Sequence, residues 1–145
     1  MSQIRRNGFS LVELLAVLAI IGIISGIAIP AFMGHRARAR MIGDAQTNAQ
    51  VLAMQLESRR ADMGVYGTPN VQYGWSTKGA LPSGYSAPPS SFLPTFTPTG
   101  NSKMNFGVAI GSTGITYTIR IFDPSLSTTT SIFRMNQSGS IWKKY

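Results

Sequence analysis

The sequence predicts an α+β fold: a long N-terminal transmembrane α-helix packed on a small antiparallel β-meander of about four strands. Three observations predict it. Leu14 to Met33 is an unbroken run without a charge. A charged segment with helical periodicity follows it directly. The rest is rich in Gly, Pro, Ser and Thr and ends in short stretches of alternating apolar and polar residues.

The first element is LLAVLAIIGIISGIAIPAFM, twenty residues, the length that crosses roughly 30 Å of hydrocarbon. A secretory signal peptide is the competing reading. Its apolar region would be about 7–15 residues and would end at a small-residue cleavage site. Here the run passes straight into helix-compatible sequence. A buried soluble helix would show a polar face, and this run has none. Residues 9–35 are therefore assigned to a hydrophobic transmembrane segment.

The helix continues through residues 36–62. Met41, Ala45, Ala49, Leu52, Leu56 and Met63 fall near a 3.6-residue period, with Val51 beside them, while Gln46, Gln50, Glu57 and Arg60 sit off that stripe. One continuous helix from about Phe9 to Asp62 would be roughly 80 Å long. Gly64 and Gly67 supply its stop. Pro30 would kink it, and Gly22, Gly26 and Gly34 weaken it nearby.

Residues 64–103 read as an irregular loop with six Gly and six Pro. Within it, Ser83 to Thr99 reads as an exposed segment suited to O-linked sugars. The β-sheet is assigned to residues 104–144. Asn105 to Ile110 puts Phe106, Val108 and Ile110 on one face. Ile115, Tyr117, Ile119 and Ile121 share a face of the next strand, opposite Thr116, Thr118, Arg120 and Phe122. Gly111-Ser112-Thr113-Gly114 makes the turn between them. Thr129 to Met135 and Ser140 to Lys143 follow, joined by Asn136 to Gly139. The helical stripe is the cover such a sheet needs.

Composition narrows the function. Cys is absent, which excludes disulfides, thiolate metal sites and a cysteine nucleophile. One His and five acids offer no triad, paired carboxylates or metal cluster, so neither an enzyme, a cofactor nor a metal is expected. The formal charge of +8 points to a polyanion or a membrane surface. Arg36, Arg38 and Arg40, with His35, Arg59 and Arg60, are candidate anion contacts. A DNA-binding protein is the reading from a different class; a solvated basic face beside a membrane is the other.

The stretch RRNGFSLVELLAVLAIIGIISGIAIPAF, residues 5–32, resembles the N-terminus of type IV pilins and related prepilin-type proteins. The basic leader, Gly8, Phe9, Glu13, the apolar helix and Pro30 carry the resemblance at the expected spacing. The likeness continues more loosely through residues 35–67 and FRMNQSGSIW. It implies the ladle-shaped pilin fold. It implies a leader, residues 1–8, removed by a membrane prepilin peptidase between Gly8 and Phe9, with N-methylation of Phe9. It implies assembly through Phe9 and Glu13, the Glu13 carboxylate meeting the Phe9 amine of a neighbouring subunit. Local melting around Gly22, Gly26 and Pro30 in the filament is also implied.

Two of these implications have independent readings. A carboxylate within a membrane helix is costly and marks a functional residue; the alternative is an interfacial side chain at the helix start. The small residues near Pro30 are otherwise ordinary helix-packing positions. Arg5 and Arg6 match a cytoplasmic leader, although Arg36, Arg38 and Arg40 on the far flank run against the positive-inside rule.

The family further implies an inner-membrane precursor pool, an assembly ATPase and a platform protein. It implies a helical homopolymer on the bacterial cell surface serving motility, adhesion or DNA uptake. The alternatives within it are a type II secretion pseudopilin and a minor pilin with a DNA-binding role. Major pseudopilins carry a C-terminal calcium site, and beyond Asp62 the chain has only Asp123 as an acid. Many pilins carry a C-terminal disulfide loop, which a chain without Cys cannot form.

Gly8 has no side chain, so extended backbone can approach a peptidase closely. Gly8→Val is expected to leave uncleaved precursor in the inner membrane. The mature protein is expected to start at N-methyl-Phe9; mass spectrometry checks both, and an intact Met1 terminus in wild-type surface filaments would refute the cleavage.

Overall fold

The computed structural model describes residues 9–77, 79–100, 103–127 and 129–144. The expected leader, residues 1–8 with Gly8 at its end, lies outside the described residues. One helix, α1 (Leu11–Met63), precedes five strands: β1 (Gln72–Ser76), β2 (Asn105–Ile110), β3 (Tyr117–Phe122), β4 (Phe133–Asn136) and β5 (Ile141–Lys143). The strands form one antiparallel meander in the order β1-β2-β3-β4-β5. The chain divides between Ala37 and Arg38 into two units, and α1 supplies residues to both.

In the first unit α1 runs through Pro30. From Phe9 to Ala37, Ala31 aside, every side chain is exposed except the half-buried Ser25. Phe9, Leu11, Ile27 and Phe32 are each about 70–80% exposed, so this unit has no apolar core of its own.

The second unit is built on the stripe of α1. Ala45, Ala49, Leu52 and Leu56 are fully buried. Their 4-3-4 spacing keeps them on one face. They share a core with Phe106, Val108 and Ile110 of β2, Tyr117, Ile119 and Ile121 of β3, and Phe133 and Met135 of β4. Met63, placed on the stripe by periodicity, is instead exposed, because the helix ends there. Gly64 adopts φ 77° and its N–H bonds the Arg60 carbonyl at 2.8 Å, a left-handed cap.

Four details depart from the sequence expectation. The sheet has five strands rather than four, because β1 lies inside the stretch assigned to irregular loop. Its Gly74 breaks the alternation that marks a strand. The structure needs that glycine, since a Cβ there would sit 2.8 Å from the Cβ of Tyr85. Second, Ser83 to Thr99 is not a free surface segment. Phe92, Leu93 and Phe96 are core residues, and Phe96 meets Phe106 edge-on at 5.6 Å. Proline keeps the backbone out of helix and interior strand; it does not keep the side chains out of the core. Ser86 also bonds the free edge of β1, through Gly74 N–H at 2.8 Å and the Gln72 carbonyl at 2.9 Å.

Third, the turn after β2 extends to Thr116, leaving Ile115 46% exposed. Fourth, Thr129–Ile132 precede β4 rather than forming it.

Two polar clasps fix α1 on the sheet side. Asn48 is fully buried on the apolar stripe. Its Nδ2 donates to the Thr99 and Asp44 carbonyls, both at 2.8 Å, and its Oδ1 accepts from Thr99 N–H at 2.8 Å. At the helix C-terminus, Tyr66 Oη donates to Glu57 Oε1 at 2.8 Å, and Arg60 Nη1 donates to Tyr66 Oη at 3.0 Å. Tyr117 reaches the same carboxylate at 3.4 Å, its ring edge-on to Tyr66 at 4.7 Å. Burial, and then the Glu57 charge, push the Tyr117 phenol up to about 12.

Two outcomes follow for the detergent-solubilised chain. Asn48→Ala strands both polar groups of the Thr99 backbone and is expected to cost about 1–3 kcal/mol, read from thermal unfolding by near-UV circular dichroism. An unfolded tyrosine loses its proton near pH 10, whereas folded Tyr117 holds it to about 12. The stability from its neutral form is therefore complete below the unfolded value and lost as pH rises through the folded one. Tyr117→Phe should flatten that alkaline fall; an unchanged pH profile would contradict it.

Candidate functional site

The start of α1 gathers the residues singled out for assembly. Ser10 is the N-cap, and its carbonyl accepts from Glu13 N–H at 3.1 Å and Leu14 N–H at 3.2 Å. The Glu13 carboxylate turns back along the helix and accepts from Ser10 N–H through Oε2 at 3.4 Å. This is the acidic arm of a capping box, Ser-x-x-Glu. It holds the negative charge at the positive end of the helix dipole, next to Phe9. Its cost in a membrane and the resemblance draw attention to Glu13 but not to Ser10. The Ser-x-x-Glu spacing itself was the signal for that residue.

Phe9 is 81% exposed. Gly22 and Gly26 have open space where a Cβ would stand, so neither is required by packing within this chain. Pro30 stands inside α1 without ending it. The helix is long and apolar enough to cross a membrane.

The candidate anion contacts do not form one set. Arg36, Arg38 and Arg40 are exposed on α1. Arg59 and Arg60 lie roughly five turns further on and are engaged elsewhere. The Arg59 guanidinium stands 5.1 Å from the Phe92 ring centroid, with Nη1 donating to the Ser91 carbonyl at 3.2 Å. Arg60 bonds Tyr66 as described above. Among the described residues no group of three or more His, Asp or Glu is placed to hold a metal ion.

A family model described as the prokaryotic N-terminal methylation motif matches residues 4–29. Over 48 residues the chain is 48% identical to the type IV major pilin protein PilA of Myxococcus xanthus, covering 33% of this chain and 21% of that one. Over 55 residues it is 42% identical to a fimbrial protein of Moraxella nonliquefaciens, covering 38% of this chain and 35% of the relative. The chain thus spans between about a fifth and about a third of the relatives it matches. No solved structure matches. What is similar is thus a short methylation motif and, over about a third of this chain, parts of two pilin or fimbrial proteins.

Proposed function

We propose that the chain is the structural subunit of a type IV pilus, polymerising through α1 into an extracellular filament after its leader is removed and Phe9 is N-methylated. The observation that carries this reading is the first unit: a helix whose apolar surface is exposed all round, with one carboxylate at its start. Such a surface is stable in a bilayer or against copies of itself, not in water. One helix can use both covers in turn, the inner membrane as precursor and neighbouring subunits in the filament.

Glu13 supplies the register. Removal of the leader would create a positive amine at Phe9, one turn from the carboxylate. Docking against a neighbour lets that amine and the neighbour's Glu13 neutralise each other in an apolar core. A subunit out of register leaves both charges unpaired. Gly22, Gly26 and Pro30 lower the cost of unwinding α1 when subunits pack, because Gly and Pro are the weakest helix formers. The prepilin peptidase, the platform protein and the assembly ATPase are the partners this route requires.

The test is Glu13→Ala. Alanine lowers the cost of membrane insertion, so the monomer should accumulate at the wild-type level. Filament yield should fall severely, since a buried charge left without its partner costs about 3–5 kcal/mol. The comparison is sheared filament from cells matched for monomer. Normal yield from the variant would reduce Glu13 to a helix cap and leave register to other contacts.

A further inference from the structure

The outer face of the sheet, away from α1, carries a feature that polymerisation through the helix does not use. The strand register places Gly74, Gly107, Arg120, Arg134 and Trp142 in one row across β1 to β5. Tyr85 lies over the first two, with its Cβ at Gly74 and its ring at Gly107, where a Cβ would collide with the ring. Tyr85 also meets Phe122 edge-on at 5.6 Å and so closes one end of the row. At the other end the Arg134 guanidinium stands 5.4 Å from the Trp142 ring centroid.

Between these aromatics two arginines face each other directly, Arg120 against Arg134. Like charges opposed across adjacent strands destabilise a sheet. Neither is relieved by an acid, since no ion pair joins either one to a carboxylate among the described residues. Arg134 has only long contacts to Ser131 Oγ, at 3.4 Å. Arg120 Nε and Tyr85 Oη are buried without a well-formed hydrogen bond, although the Arg120 guanidinium stands near enough to the Tyr85 hydroxyl to oppose the rise that burial gives its pKa. Thr118, Asn136 and Ser140 join Arg120, Arg134 and Trp142 around an open groove of about 280 Å³. The groove therefore has two forked donors with no acid paired to them among the described residues, short groups that both donate and accept, and a half-exposed indole.

We propose that this groove binds an acidic saccharide. The guanidinium groups of Arg120 and Arg134 take its carboxylate or phosphate oxygens, the geometry planar guanidinium donors favour. The indole of Trp142 covers the apolar face of the sugar ring. Thr118, Asn136 and Ser140 exchange hydrogen bonds with ring hydroxyls. The bound anion removes the repulsion between the two strands, so occupancy stabilises the sheet as well as filling the groove.

The experiment is isothermal titration calorimetry of the full chain in nonionic detergent. The probes are glucuronate, glucose 6-phosphate, glucose, inorganic phosphate and adenosine monophosphate. The two acidic sugars are expected to bind at least about tenfold more tightly than glucose or inorganic phosphate. Their relative affinities tell carboxylate from phosphate. Arg134→Gln should weaken them by roughly tenfold to a hundredfold, the range for a lost charged hydrogen bond. Trp142→Ala should weaken the acidic sugars and leave inorganic phosphate unchanged.

Both altered side chains are exposed. Circular dichroism checks that the variants fold. Without ligand, Arg134→Gln should melt higher than wild type, because the opposed charges are gone. Equal binding of inorganic phosphate would mean the site reads charge alone. Tighter binding of the nucleotide would make it a nucleotide site. Absence of binding, or a lower melting temperature for unliganded Arg134→Gln, would remove the basis of the assignment. Each of these results overturns the saccharide site, and none bears on filament yield, which tests the pilin reading separately.

Discussion

The fully buried stripe Ala45, Ala49, Leu52 and Leu56 is the constraint on which the second unit depends. A five-stranded antiparallel sheet with one apolar face needs a cover, and this is the only helix among the described residues. Two alanines in the stripe let backbone come close to the sheet, and the two leucines fill the space further along. A meander follows, because each strand must return to the same cover, with short turns after β2 and β4 and longer connections after β1 and β3. The segment between β1 and β2 completes the core where the helix and strands leave it open. Phe92 packs on Tyr73 at 4.0 Å, and Phe96 on Trp75 at 5.3 Å.

The polar contacts serve the same requirement. An irregular segment that enters a core brings backbone groups that water no longer satisfies. Asn48 answers this at Thr99, donating and accepting from one side chain. Glu57 does so at the other end of the interface, where two tyrosine hydroxyls converge on it. Both residues therefore secure the places where packing alone would leave a polar group without a partner. Neither is a surface decoration, although Glu57 itself remains exposed.

How much of this was legible follows from period. The apolar run, the helical stripe and β2 to β5 have patterns that repeat every residue, every 3.6 residues or every two, and the fold class was readable from them. β1 was not, because Gly74 interrupts the alternation for the sake of a neighbour, Tyr85, that is eleven residues away. Phe92, Leu93 and Phe96 were hidden by the prolines and serines around them, whose message concerns the backbone only. Asn48 reads as a polar interruption of an apolar stripe until its partner Thr99 is known. At the start of α1, Glu13 stood out by its cost in a membrane, whereas its bond to Ser10 is local and was present in the spacing. The Arg120–Arg134 opposition depends on strand register, which the turns and alternation only bracket.

The geometry of Glu13 bears on how a single carboxylate could serve before and after assembly. In the isolated chain it is not idle: it accepts the N-cap N–H at 3.4 Å, a long contact that holds the side chain near the helix axis at its positive end. A side chain stretched towards solvent would have to be reordered on docking, at the expense of its rotamer freedom. Here that ordering is already made by a bond weak enough to exchange. In the proposed filament the stronger acceptor role, towards a cationic amine in an apolar core, replaces the weaker one towards a neutral N–H. The cap thus keeps the charge positioned in the monomer without competing seriously with the pair that assembly would form. A shorter, better aligned cap would stabilise the precursor helix more and oppose polymerisation by the same amount.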